Sequence, residues 1–466
     1  MNAILPNGSA TRQRCTPPKW LVACVSIVAA LVTFLVSTSA QAIPAFARRY
    51  QSSCQTCHLA FPKLTPFGEA FRRNGYRFPS GGDATAEKEE PIPLGAEAQK
   101  DVWPRAVWPG QLPGTVPLSF VIDAKGAIGP ALEGHAVEGH SETPAAPGAA
   151  PAAEEEHAKT TLSFKDTMAR IVGGGTLGSI GSYFGAVSFG GHETAALERG
   201  FIILTPVDQT SLHLKVGLFE PALHGVSIHR GLFGHQLRLT TTPVKLNSFT
   251  PEASLKGFEA SGLIIGRLGW AAGVVENTNP ATGLTSDMYG RLETKLGGMR
   301  WDGVDSAAGS AAWRERSFSL GVSGYRGRSK ISETLSVPGT VVTHNDTFIR
   351  FGGDAHVVLD DLLLDVVVAR QRHDAPELKG VSGTMDIAYA ELTYVVHPWV
   401  FPTLRGEASR VKSGDTTENR WIGLFALNTV VRPNLVLRGE VAIGKDPGSH
   451  SGTGFRFAAL SASVAF

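Results

Sequence analysis

Cysteine is scarce in this chain of 466 residues: there are four. Two of them, Cys15 and Cys24, fall in the leader described below, so only Cys54 and Cys57 remain in the exported chain. Two cysteines three positions apart leave no disulfide framework to explain. Charge is also sparse, 18% of residues, and nearly cancels to +1 at pH 7. With no basic surplus there is no footprint for nucleic acid. No part reads as a long helical bundle. What is abundant is glycine, at 53 residues, scattered among short alternating runs.

The first residues are a targeting signal. Arg12, Arg14 and Lys19 form a basic start, Trp20 to Ser37 an apolar run, and Ala40-Gln41-Ala42 a small-x-small cleavage site. Residues 1–42 are therefore read as a signal peptide. Its removal takes away three positive charges and no acids, moving the net charge from +1 to −2.

Residues 43–80 are compact and aromatic-rich, and they contain Cys54-Gln55-Thr56-Cys57-His58. A CxxCH run is a covalent haem-attachment site: two thiols add across the haem vinyl groups, and the adjacent histidine is held beneath the iron. Cys54 and Cys57 are the expected thioether anchors and His58 the axial ligand of one haem c. A thioredoxin-like site needs a surrounding βαβ unit, which is missing, and a zinc site needs a second ligand pair. His58 is the only histidine in 43–80. Thr65 is placed to cap a helix that starts at Pro66, and Gly75 to end it in a left-handed conformation. Phe67, Ala70 and Phe71 then share one face, expected against the porphyrin. Some 38 residues are too few to bury a stable core, so haem and another protein surface must supply apolar area.

The sixth ligand is not written next to the motif. Residues 43–167 contain no methionine, which excludes a methionine-ligated fold within this small domain. The remaining options are Met168, Lys63, the new amino terminus at Ile43, an open site, or a histidine from the downstream domain. His224, His229 and His235 are the candidates there.

Residues 81–112 read as a connector and 113–466 as a β-domain. Tight turn signals at Gly266-Arg267-Leu268-Gly269, Asp360-Asp361, His397-Pro398 and Arg432-Pro433-Asn434 alternate with polar stretches at 277–285, 328–344, 373–382, 412–418 and 445–452. Short turns on one side and long loops on the other are the rhythm of an outer-membrane barrel. The strands alternate accordingly. Ile349, Phe351, Val357 and Leu359 interleave with Arg350, Asp354 and His356, and Leu437, Val441 and Ile443 with Arg438 and Glu440. With 220–257 taken as one long outer loop, about 16 strands remain, the even number that bacterial barrels require. Lumen-facing Arg405, Glu407, Arg438 and Glu440 are expected to pair. Residues 128–160, rich in Ala, Pro, Glu and His, read as a disordered loop, with Glu/His groups at His135, His140 and His157 that could loosely gather divalent metal. The terminal Phe466 resembles a barrel-insertion signal.

The run Ile43-Pro44-Ala45-Phe46-Ala47-Arg48, Cys54 to His58, Phe61-Pro62-Lys63-Leu64-Thr65-Pro66-Phe67-Gly68-Glu69-Ala70-Phe71 and Asn74-Gly75-Tyr76, followed by a barrel, resembles the fused outer-membrane monohaem cytochrome–porins, which include outer-membrane iron(II)-oxidising cytochromes. The resemblance covers about 35 residues in motif, and the barrel in architecture alone. It implies a haem domain lining or plugging a porin-like barrel. Single electrons would pass between an extracellular redox partner such as Fe(II) and a periplasmic carrier, another c-type cytochrome. A porin for small solutes with a haem-containing plug is the alternative.

Overall fold

The computed structural model describes residues 45–79, 92–93, 111–112, 118–130, 160–164, 167–177, 180–190, 193–233, 242–250, 254–277, 286–304, 313–334, 341–377, 380–445 and 455–466. The signal peptide, nearly all of the connector, residues 131–159 of the Glu/His-rich loop and the amino terminus at Ile43 lie outside the described residues; the ends read as part of that loop, 128–130 and 160, are strand.

Sixteen antiparallel staves close into a barrel. In chain order they are β1 (Leu118–Pro130), β2 (broken into Thr160–Ser163 and Met168–Leu177), β3 (Gly181–Gly190), β4 (Glu193–Leu204), β5 (His213–Phe219), β6 (Leu255–Ile264), β7 (Leu268–Glu276) and β8 (Ser286–Gly297). Then follow β9 (Arg316–Thr334), β10 (Val341–Leu359), β11 (Leu362–His373), β12 (Gly383–Tyr394), β13 (Val400–Ser413), β14 (Thr416–Arg432), β15 (Leu435–Lys445) and β16 (Phe455–Ala465). Both pieces of β2 pair with β1, one on each half of its length, so they count as one stave. Closure runs through β16 against β1, with Ala465 opposite Val121. Phe466 finishes the seam, its N–H donating to the Phe120 carbonyl at 2.8 Å.

The period-2 pattern sorts the wall as expected. Phe351, Val441 and Ile443 are exposed on the outside, while Arg350, Arg438 and Glu440 are buried on the inside. Arg405 Nε sits 2.9 Å from Glu407, and Arg438 Nε 3.8 Å from Glu440. An apolar exterior on a wall without edges is what hydrocarbon demands, since a closed sheet pairs its backbone groups internally.

Two loop expectations are corrected. The polar stretch 328–344 is mostly strand: β9 continues to Thr334 and β10 begins at Val341. The stretch 412–418 shrinks to a turn at 414–415. Ser, Thr and Val suit a ladder that continues above the membrane, so polarity there marks leaving lipid and not leaving the sheet. The four tight turns fall at the Phe466 rim, as read. Two connections at that rim, 205–212 and 298–315, are longer than the short turns expected there. Both grasp the N-terminal segment: Gln209 donates to the Phe78 carbonyl at 2.7 Å, and Asn74 Nδ2 to the Trp301 carbonyl at 3.0 Å.

Candidate functional site

Residues 45–79 form a plug inside the barrel. Helix α1 (Ala45–Tyr50) and helix α3 (Pro66–Arg73) flank a single helical turn, α2 (Cys54–Cys57). The expected helix is confirmed. The Thr65 hydroxyl accepts from Gly68 N at 3.1 Å, Pro66 is the first helical residue, and Gly75 takes φ +68°. The plug's core is aromatic: Phe71 lies edge-on to Phe46 at 5.2 Å and to Tyr50 at 5.8 Å, and Phe67 against Phe78 at 5.3 Å. The face expected against a porphyrin is thus largely spent on the plug's own rings. Tyr76 stacks on Phe184 of β3 at 5.2 Å, joining plug to wall. Arg73 reaches Glu293 of β8 at 3.0 Å and lies over the Trp301 ring.

Thr65 also organises the CxxCH turn. Its N–H donates to the Cys57 carbonyl at 3.0 Å, and its hydroxyl to the Thr56 carbonyl at 2.7 Å. Gly68 is pressed so closely on the Cys57 carbonyl that a Cβ there would collide with the oxygen. Helix α3 therefore seats the turn directly. Both thiols are free, and burial raises their pKa, that of Cys57 to about 12 with the neighbouring Cys54 adding to it.

His58 Nδ1 lies 3.2 Å from the Pro62 carbonyl. A proton held there leaves the lone pair on Nε2, the arrangement a metal-ligating imidazole needs. Burial lowers the His58 pKa to about 4, against the pull of the Pro62 and Lys63 carbonyls. The ring is thus neutral at ordinary pH. Cys54, Cys57 and His58 are only half-buried, whereas Leu59 and Ala60, which follow, are buried among Leu232, Val358 and Leu363. Spacing, ring orientation and a partly open face all fit a covalently attached haem. Among the described residues no group of three or more His, Cys, Asp or Glu side chains is placed to hold a metal ion unaided.

Lys63 is an anchor and is removed as an iron ligand. Its ammonium donates to Asp365 of β11 at 2.8 Å and to Glu391 of β12 at 2.7 Å. Burial alone would lower the Lys63 pKa; the two carboxylates more than reverse this, and it rises. His356 lies 2.5 Å from Asp365, and the Tyr389 hydroxyl donates to Glu391 at 2.9 Å. Sequence reading did not single out Asp365 or Glu391 as partners. The available signal was a lone acid in the apolar run of β11, which points inward and needs a counter-charge.

The described residues of the connection between β5 and β6, 220–233 and 242–250, fold into the lumen above the plug. Arg291 donates to the Leu223 carbonyl at 3.2 Å, Lys245 pairs with Glu418 at 2.7 Å, and Phe249 wedges between Tyr325 and Phe348 at 4.5 and 4.6 Å. One long loop thus joins β5 to β6, as read, and its described residues turn inward. His224 Nδ1 engages the Val226 carbonyl at 2.7 Å near Arg350 and Arg291, and burial first, then those cations, lowers its pKa to about 3. His229 faces Arg199, Arg230 and Arg170 and is lowered likewise. Met168 sulfur accepts from Arg170 at 3.1 Å. His235 lies outside the described residues.

No family model and no curated protein matches the chain. Solved structures do. The loop L8 deletion mutant of OmpT, an outer membrane protein of Vibrio cholerae, is similar at TM-score 0.50 and 11% identity, over 76% of this chain and 99% of that one. The anion-selective porin from Comamonas acidovorans is similar at 0.49 and 10%, over 76% and 99%. Pseudomonas putida OprB is similar at 0.48 and 11%, over 75% and 94%. The fold is that of bacterial outer-membrane barrels, and the location it implies is the outer membrane.

Proposed function

We propose that this porin-like barrel carries one haem c on its lumen plug and passes single electrons across the outer membrane. The observation that carries the reading is the position of the CxxCH turn: it sits on a plug locked to the wall by the buried Lys63, Asp365 and Glu391 group. Cys54 and Cys57 would hold the haem and His58 its iron; the haem would supply one-electron exchange. The chain's own residues fix where that exchange happens. Asp365 lies four residues from the Asp360–Asp361 turn, about 13 Å of strand, so the gap to the periplasm is short. A bilayer core is about 30 Å thick and passes no electrons unaided. The donor outside would be a one-electron reductant such as Fe(II), and the acceptor a periplasmic c-type cytochrome. The resemblance of residues 43–76 to the cytochrome–porins supports this.

The second reading is a porin for small solutes with a haem-containing plug, and the likeness to solved porins favours it. Against passage stands a lumen occupied by the plug and the inward loop, in which apolar side chains such as Phe219, Leu232 and Phe348 are buried beside ion pairs such as Arg291 with Asp354. One experiment separates the two. Haem-loaded protein is placed in vesicles enclosing oxidised cytochrome c, and Fe(II) is added outside. Reduction inside without leakage of small sugars supports the electron path. Sugar entry without reduction supports the porin, and a purified chain without haem overturns both haem readings.

A further inference from the structure

The outward face of β9, β11 and β13 carries a patch of cations at the rim opposite Phe466. Arg326, Arg328 and Lys330 are exposed on β9, Arg370 and Arg372 on β11, and Arg410 and Lys412 on β13. Strand register aligns them. Arg326 stands opposite Ile349, which stands opposite Arg372; Arg372 faces Thr384, and Thr384 faces Lys412. Successive cations of this row are therefore about 10 Å apart, two strand spacings. One level nearer the bilayer centre runs a second row, Phe351, Arg370, Asp386 and Arg410.

Three acids stand among or beside these seven cations, one of them the exposed Asp415 in the turn after Lys412. Asp386 accepts two bonds from Arg370, at 2.5 and 2.9 Å, within electrostatic reach of Arg410, and Asp374 is exposed at the end of β11. Arg326, Arg328, Lys330, Arg372 and Lys412 have no carboxylate partner among the described residues. Elsewhere on the rim the exposed Lys256 is balanced by Glu276 at 3.9 Å.

The wall below the patch has a matching shape. Ala390, Gly406 and Gly423 lie side by side in register on β12, β13 and β14. They floor an apolar groove of about 510 Å³ with Leu364, Leu404, Phe425, Val441 and Ile443 on its sides. A Cβ added at Gly406 would meet nothing within 4 Å. Gly406 precedes Arg410 by four residues on one strand, so the groove lies about 13 Å under the second row.

We propose that this sector binds a phosphorylated lipid of the outer leaflet, its phosphates on Arg326, Arg372 and Lys412 and an acyl chain in the groove. Cations at the hydrocarbon boundary are costly unless their head groups reach water or an anion. Arginine and lysine are the side chains that meet phosphate best. An apolar groove on the same outer face, about 13 Å below the cations, fits a lipid better than a free anion.

The test is native mass spectrometry of the full chain in detergent, titrated with a bis-phosphorylated diglucosamine lipid. Binding is expected to fall about tenfold in the R326Q/R372Q/K412Q variant, since each exposed charge contact is worth little alone. It is expected to fall as well in Gly406→Phe, which keeps every charge, and to stay unchanged in Lys256→Gln. Should the triple variant fail to fold, Asp386→Asn serves, with tighter binding expected. Equal binding by the wild type and the triple variant, unchanged binding in Asp386→Asn, equal uptake of the dephosphorylated lipid, or full competition by inorganic phosphate would each overturn the proposal.

Discussion

Lys63 and Asp365 meet at 2.8 Å across 302 residues of chain, inside the barrel and beside the turn that carries Cys54 and Cys57. Lys63 also holds Glu391, so one ammonium answers two buried carboxylates. Lys63→Met therefore leaves Asp365 with His356 and Glu391 with the Tyr389 hydroxyl but without their cation, a loss of about 3–5 kcal/mol for breaking a buried ion group. The wall has its own backbone ladder, so the loss falls on the docking of the plug. Hydrogen exchange in residues 58–64 should accelerate while strand amides stay protected. Unchanged exchange would show that the plug is held by its aromatic contacts alone.

The proposed haem attachment would need both thiols and the neutral imidazole. In cells competent for c-type haem maturation, Cys54→Ser and Cys57→Ser should each abolish a two-thioether haem. His58→Ala should strip the axial ligand and shift the haem absorption bands. The barrel should still form in all three, because these side chains are only half-buried and belong to no cluster that holds the wall. A haem-stain gel beside a heat-modifiability gel reads both outcomes.

Gly68 predicts a steric effect at a distance in chemistry. Alanine there drives a methyl group into the Cys57 carbonyl oxygen. Backbone flanks it on that side, so helix α3 must lift away from the CxxCH turn. Gly68→Ala should lower haem incorporation although no thiol or imidazole changes, and Ala70→Gly, in the same helix, should not reproduce the loss. Normal haem content in Gly68→Ala would mean that the turn is seated by Thr65 alone.

The legible parts of this fold were those written in local chemistry. Thr65, Pro66 and Gly75 announce their helix because capping is decided within a few residues. Arg350 and Glu440 declare the lumen side because a strand reverses faces at every residue. Lys63 was misread as a possible iron ligand because its partners lie some 300 residues downstream, and no local pattern records them. The loops at 328–344 and 412–418 were misread for a related reason. Outside the bilayer a strand has no need to be apolar, so polarity stopped marking the end of the sheet.

The inward loop should respond to pH through His224. Its ring lies near Arg350, Arg291 and Arg230, and burial with these cations depresses its pKa to about 3. His229, facing Arg199, Arg230 and Arg170, is depressed as well. An unfolded imidazole titrates near 6.5. Between that value and the folded one, the opened loop binds more protons than the packed loop, so stability rises with pH across this window and falls as pH drops. The packing of 220–233 is then fully present above about pH 7 and weakens steadily toward pH 4. Hydrogen exchange of these residues, corrected for the intrinsic rate, should show opening that grows at low pH. His224→Gln, which cannot take up the proton, should flatten that dependence, leaving the part due to His229. An identical pH profile in wild type and His224→Gln would assign the loosening to other groups in the lumen.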